Sequence, residues 1–144
     1  MSVDISQLEV GQVLVERHFR LNRESLVRYA GASGDFNPIH YRDDVAQSVG
    51  LPGVLAHGML TMGIAIQPLV DWCGSDYQIE SYQVRFTKPV VVDADTGASL
   101  TVTLSVGALG QSTDDDPSIR CDLEVRSQTG EKVLGKAHAV IRPV

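Results

Sequence analysis

The sequence holds only two cysteines among its 144 residues, Cys73 and Cys121, in apolar contexts without CxxC spacing or a neighbouring histidine cluster. Both a disulfide framework and a zinc site are therefore poor readings, and buried free thiols are the expectation. No uninterrupted apolar run approaches the length of a membrane span. The opening MSVDISQLEV mixes Asp4, Gln7 and Glu9 among its apolar residues, so no basic-then-apolar leader is expected, and the compartment read from this is cytoplasmic. Basic residues are few and scattered, 12 Lys and Arg against 18 Asp and Glu for a formal charge of -6. That excludes a nucleic-acid partner, because phosphate binding needs clustered cations. Repeats, low-complexity tracts and linkers are absent too, so residues 1–144 are expected to form one domain.

What is present is 43% hydrophobic residues, enough for one ordinary core. Val13, Val15, Phe19 and Leu21 share one parity, broken by Arg17, which predicts a half-buried strand. Asn22 caps a helix over 24–33 with Leu26, Val27 and Ala30 on one stripe, and Gly31 and Gly34 signal its end. Asp43 is a candidate cap for a short helix through Gln47, and Gly50-Leu51-Pro52-Gly53 reads as a turn. From Ala56 to Cys73 the chain is apolar nearly all the way round, which predicts a buried helix that Pro68 kinks or ends near Gln67.

The second half alternates with a period of two. Leu100, Val102, Leu104 and Val106 interleave with Ser99, Thr101, Thr103 and Ser105, and Ile119, Cys121, Leu123 and Val125 with Arg120, Asp122, Glu124 and Arg126. Tyr82, Val84 and Phe86 behave likewise, and a last strand spans roughly 132–141. Gly97, the acidic tip Asp114-Asp115-Asp116-Pro117 and Thr129-Gly130 are the turn signals between them. The pattern predicts an α+β fold in which one apolar helix is covered by a strongly twisted antiparallel sheet. Such a sheet keeps edge strands, so oligomerisation through it is expected.

Tyr29-Ala30-Gly31-Ala32-Ser33-Gly34-Asp35-Phe36-Asn37-Pro38-Ile39-His40 puts a carboxylate and an imidazole five positions apart on a proline-stiffened loop. Asn37 and Pro38 suppress helix continuation, and Asn can satisfy loop backbone groups. Histidine titrates near neutral pH, and a carboxylate beside it can share in moving protons. On spacing alone, the bland alternative of a turn-forming, hydrogen-bonded pair stands beside catalysis.

The whole string resembles the signature of the MaoC-like, (R)-specific enoyl-CoA hydratase family: an aromatic residue, small residues, Ser-Gly-Asp-x-Asn-Pro, an aliphatic residue, His, and a small residue six positions on. Tyr29, Ser33, Gly34, Asp35, Asn37, Pro38, Ile39, His40 and Ala46 meet it, and His57-Gly58-Met59 matches the step that opens the family's central helix. The resemblance implies the hot-dog fold, a long helix wrapped by the sheet. It also implies catalysis by Asp35 and His40, an oxyanion donor in the backbone N–H of Gly58, and supporting places for Ser33, Asn37 and His57.

The chemistry implied is reversible dehydration of (3R)-hydroxyacyl thioesters on acyl carrier protein or CoA, without cofactor or metal. Among relatives the chain looks most like the catalytic subunit of (3R)-hydroxyacyl-carrier-protein dehydratases of long-chain, mycolic-acid-type elongation, whose subunits pair with a second hot-dog chain. Homodimer and heterodimer stay open, as do a CoA hydratase of fatty acid degradation and a non-catalytic partner subunit. An acidic carrier would dock on a local basic spot, for which Arg85 and Lys88 are candidates against the plainer reading of solvated strand-end charges. His57 reads as a helix-start residue rather than a metal ligand, and His18 and His138 as strand-face residues. Met59 and Met62 read as core, with Ile64 and Ile66 on the helix that would flank an acyl chain. Ser33 lacks a base arranged to make it a nucleophile.

Overall fold

The computed structural model describes residues 5–110 and 117–144, so Asp4 and the acidic tip Asp114-Asp115-Asp116 lie outside the described residues. After a short 3-10 turn at Ile5–Gln7, the chain forms β1 (Val13–Leu21), α1 (Arg23–Ser33) and a 3-10 turn at Pro38–His40. It continues through α2 (Asp43–Ser48), α3 (Gly58–Cys73), β2 (Tyr77–Phe86), β3 (Ala98–Leu109), β4 (Ile119–Ser127) and β5 (Leu134–Pro143). The five strands form one antiparallel sheet in the order β1-β3-β4-β5-β2, leaving β1 and β2 as edges. This is the α+β arrangement that the alternation and the single long apolar stretch imply, and the hot-dog fold that the family resemblance implies.

The core lies between α3 and the inward face of the sheet. Leu100, Val102, Leu104 and Val106 of β3 and Ile119, Cys121, Leu123 and Val125 of β4 are all buried, and from α3 Ala65, Leu69 and Cys73 meet them. Each fully buried aliphatic side chain contributes roughly 1.5–3 kcal/mol. Burial pushes the Cys73 thiol up to about 11 and that of Cys121 to about 12, and both are free and inert as expected. Among the described residues no helix is long and apolar enough to cross a membrane.

Several local expectations need correction. Pro68 does not end α3 near Gln67: the helix runs on to Cys73, and Leu69 and Cys73 beyond the proline are buried in the core. That burial offsets the roughly 3 kcal/mol that an internal proline costs a helix. The end expected for α1 does hold: the helix stops at Gly34, which takes the left-handed conformation at φ 76° and donates its N–H to the Ala30 carbonyl. Val27 is 63% exposed and does not share the burial of Leu26 and Ala30 on α1. Asp43 is the first residue of α2 rather than its cap, since its carboxylate is engaged by Arg23 and Val54 instead.

The apolar surface of α3 is only half used within this chain. Thr61, Ala65, Pro68, Leu69 and Cys73 face inward, while Met59, read from sequence as core, is 59% exposed and Val70 is also exposed. β2 begins at Tyr77, earlier than its pattern suggests, and a bulge between Ile79 and Ser81 moves the inward parity from Ile79 to Tyr82. β5 starts at Leu134, with Lys132 making only an isolated bridge to Arg126.

Candidate active site

The site is assembled where α1 ends, by a ladder of side-chain-to-backbone bonds spaced two residues apart. Ser33 Oγ accepts from the Asp35 N–H at 3.2 Å, Asp35 Oδ1 from the Asn37 N–H at 3.1 Å, and Asn37 Oδ1 from the Ile39 N–H at 3.2 Å. Each polar residue satisfies the backbone two positions on, which is the turn-forming habit of Asx and Ser residues. Pro38 then fixes the first position of a 3-10 turn closed by the His40 N–H on the Asn37 carbonyl. Ser33 and Asn37 thus shape the loop, and the hydroxyl of Ser33 is engaged as an acceptor.

The loop brings His40 Nε2 to 3.9 Å from Asp35 Oδ2. The two groups are unequal in exposure, the carboxylate side chain at 50% and the imidazole at 11%. His40 Nδ1 lies 2.7 Å from the carbonyl oxygen of Leu55. A carbonyl can only accept, so Nδ1 carries the proton of the neutral ring and Nε2 presents its lone pair toward Asp35.

A second imidazole lies beneath. His57, the residue before α3, is 1% exposed and stacks on His40 with ring centroids 3.8 Å apart and an interplanar angle of 22°. Tyr29 meets its other side edge-on at 4.7 Å. Its Nε2 donates to the Asp35 carbonyl at 3.1 Å, leaving Nδ1 without a partner among the described residues. Burial, aided by the neighbouring His40, holds His57 below the ordinary histidine value, against the opposing bond to Asp35. A depressed value means that the contribution to stability is present above the unfolded value of 6.5 and is lost as pH falls through the folded one. Thermal melts from pH 8 to 5 are therefore expected to lose stability below about 6.5, and His57→Gln to flatten that limb while lowering the plateau.

One ligand atom each from Asp35, His40 and His57 lies within 4.8 Å of the others. Proximity alone would suit a metal ion, but two stacked, nearly parallel rings keep their in-plane lone pairs in separate, nearly parallel planes. Two nitrogens about 2.1 Å from one ion need lines that converge. The donor set does not fit a metal centre without dismantling the stack.

Gly58 opens α3, and the N–H groups of a first helical turn have no partner within the helix. A Cβ at Gly58 would sit 3.0 Å from the Phe86 ring. His40 and Gly58 line one cavity of about 340 Å³ together with Ala56, Phe86, Lys88 and Val90, where Lys88 supplies the fixed charge among the described residues. An apolar groove of about 200 Å³ runs on the other side, along Phe19, Tyr29, Met59, Gly63, Ile64 and Gln67. A larger hollow of about 600 Å³ beside β4 and β5 contains His138, Glu124 and Lys136 but none of Asp35, His40 and Gly58. His18 sits on a strand face, bonded through Nδ1 to Thr101 Oγ1 at 2.9 Å.

Sequence reasoning overlooked the Leu55 carbonyl, which has no side-chain signal, and the place of Phe86, whose alternation read as core although the ring is 52% exposed. The Tyr29 contact with His57 was foreshadowed only by the aromatic position of the signature.

A family model described as MaoC like domain matches residues 6–112. The chain is 38% identical over 78 residues to 3-hydroxyacyl-thioester dehydratase X of Mycobacterium tuberculosis, a match covering 54% of this chain and 27% of that protein. Among solved structures, a MaoC-like dehydratase superposes with a TM-score of 0.84 at 34% identity, over 95% of this chain and 41% of the other. An (R)-hydratase from A. caviae involved in PHA biosynthesis superposes at 0.79 and 25% identity, covering 94% and 97%. The chain thus spans about a quarter of the mycobacterial relative and nearly all of the A. caviae hydratase.

Proposed function

The chain belongs to the MaoC-like domain family, and from that premise we propose that it is a hydro-lyase interconverting (3R)-hydroxyacyl and trans-2-enoyl thioesters. The observation that carries the reading is the pairing of a lone-pair-bearing His40 Nε2 with Asp35 Oδ2 at 3.9 Å, with His40 also lining a cavity at the start of α3. The pair holds one proton between its members. In dehydration His40 takes the C2 proton while Asp35 gives its own to the hydroxide leaving C3; hydration is the reverse, and the proton count of the pair is unchanged. Charge developing on the thioester oxygen is met by the Gly58 N–H, directed and assisted by the α3 dipole. The thioester arm lies in the cavity beside Phe86 and Lys88, and the acyl tail runs into the groove past Met59 and Gly63.

The finer reading is a cytoplasmic enzyme of fatty acid elongation, folded as one domain over residues 1–144, that takes its substrate from acyl carrier protein. Lys88 at the cavity supports it, as a positive spot suited to an acidic carrier or to the phosphate of its arm in a chain of formal charge -6. Half-used α3 and the open edge of β2 support pairing with a second hot-dog subunit, a copy of this chain or a homologue. The test is hydration of crotonyl-CoA, a long trans-2-enoyl-CoA and the matching carrier-bound enoyl chains, followed by loss of enoyl absorbance and by product configuration. The (3R) product, with carrier substrates preferred, is expected. An (S) product, or turnover that survives Asp35→Asn undiminished, would overturn the reading.

A further inference from the structure

One carboxylate outside the dyad ties together three elements that meet behind His40. Asp43, first residue of α2, accepts the Val54 N–H on Oδ1 at 2.9 Å and Arg23 Nη2 on both oxygens at 3.0 and 3.1 Å. Arg23, first residue of α1, sends its Nε to the Val92 carbonyl at 2.6 Å. The Val92 N–H returns to the Val54 carbonyl at 2.9 Å. The bonds close a ring through residues 23, 43, 54 and 92, with Val54 and Val92 fully buried. Gly53 leaves room for it, since a Cβ there would stand 3.1 Å from Asp43 Oδ1.

The residue next along the chain from this clamp is the one that holds the histidine. The Leu55 N–H donates to the Ile39 carbonyl at 3.1 Å, and the Leu55 carbonyl accepts from His40 Nδ1. We propose that Arg23 and Asp43 are positioning residues of the reaction: by fixing Val54 they fix the Leu55 carbonyl, which keeps the His40 proton on Nδ1 and Nε2 turned to Asp35. The inference rests on the dyad reading given above. The Val54 N–H first, and Arg23 second, hold the Asp43 carboxyl below the usual carboxylate range, so the clamp stays charged at neutral pH. The titratable groups facing His40 itself are Asp35, His57 and, across the cavity, Lys88.

The neighbouring pair supplies the control. Arg42 and Asp44 form an ion pair one position along, both side chains exposed and bonded to each other rather than, among the described residues, to the 53–56 segment. The experiment compares Asp43→Asn, Arg23→Gln and Arg23→Lys with Asp44→Asn in the full chain, reading kcat, KM, and the tautomer of His40 from ring 15N shifts at pH 8. Asp43→Asn and Arg23→Gln are expected to lower kcat about 10- to 100-fold, the range for groups that orient an active residue, with KM nearly unchanged. A mixture of His40 tautomers should accompany the loss. Arg23→Lys, which keeps the charge but not the forked bonding, should fall between, and Asp44→Asn should match wild type.

A lower melting temperature with kcat and the His40 tautomer unchanged would overturn the proposal, as would equal losses in the Asp44 variant. If Asp43→Asn does not fold, the two Arg23 variants, which leave the Asp43–Val54 bond in place, decide the matter by the same readings. The tautomer is read without substrate, so a wild-type protein inactive on every thioester would count against the proposed function and leave this test standing.

Discussion

His40→Ala and Asp35→Asn are each expected to lower kcat for crotonyl-CoA hydration about a thousandfold, within the range that a positioned acid or base supplies. The loss should fall on kcat with KM changed little, because the proposed binding mode gives the arm and acyl tail many further contacts in the cavity and groove. Asp35→Asn is the cleaner change: an amide oxygen can still accept the Asn37 N–H that shapes the loop, and what disappears is a group able to take or give a proton. In the proposed mechanism the two residues share one proton, so the double variant should be little worse than either single one, as for groups that act as a unit. Steady-state rates, with circular dichroism and melting temperature as checks of folding, measure this. Turnover within tenfold of wild type in either variant, or losses that multiply in the double one, would remove the shared-proton mechanism.

How far the sequence carries depends on whether a feature is periodic or particular. The alternation over 99–106 is a property of many residues at once, and it returned β3 with Leu100, Val102, Leu104 and Val106 buried. Asn22 was legible as a cap because its chemistry is local, and it forms a reciprocal capping box with Ser25. Expectations failed where a distant partner decides. Pro68 continues its helix because the core buries Leu69 and Cys73 in the turns beyond it. Asp43 leaves the capping role because Arg23, twenty residues back, and Val54, eleven ahead, bind it instead.

The candidate site divides in the same way. Asp35 and His40 are neighbours in sequence, a loop five residues long cannot carry them far apart, and His40 Nε2 lies 3.9 Å from Asp35 Oδ2. The partner that orients His40 is a main-chain carbonyl fifteen residues away, and no side chain announces it. His57 looked like a helix-start residue and is one, but it makes no side-chain cap. Its ring turns inward instead, to stack on His40 and hold the Asp35 carbonyl.

Gly58→Ala is expected to reduce kcat/KM about 10²- to 10³-fold, the cost of losing one oxyanion donor, because its methyl group blocks approach to an N–H that alanine keeps, while stability barely changes. Two physical effects of the methyl group oppose each other in the folded protein. Alanine is the better helix former by up to about 1 kcal/mol, whereas its Cβ would press on the Phe86 ring, 3.0 Å from Cε1, 3.2 Å from Cδ1 and 3.3 Å from Cζ. That ring is half exposed and at the end of an edge strand, so it can swing aside at small cost. Activity has no such escape if the thioester carbonyl must approach the first N–H of α3 closely. The double variant Gly58→Ala/Phe86→Ala separates the causes, because removing the ring clears the clash and leaves the methyl group. Continued loss in the double variant would place the obstruction on the path of the thioester oxygen, as the mechanism requires. Recovery to the level of Phe86→Ala alone would mean that the glycine serves only to seat Phe86, and the oxyanion donor would have to be sought elsewhere on the cavity wall.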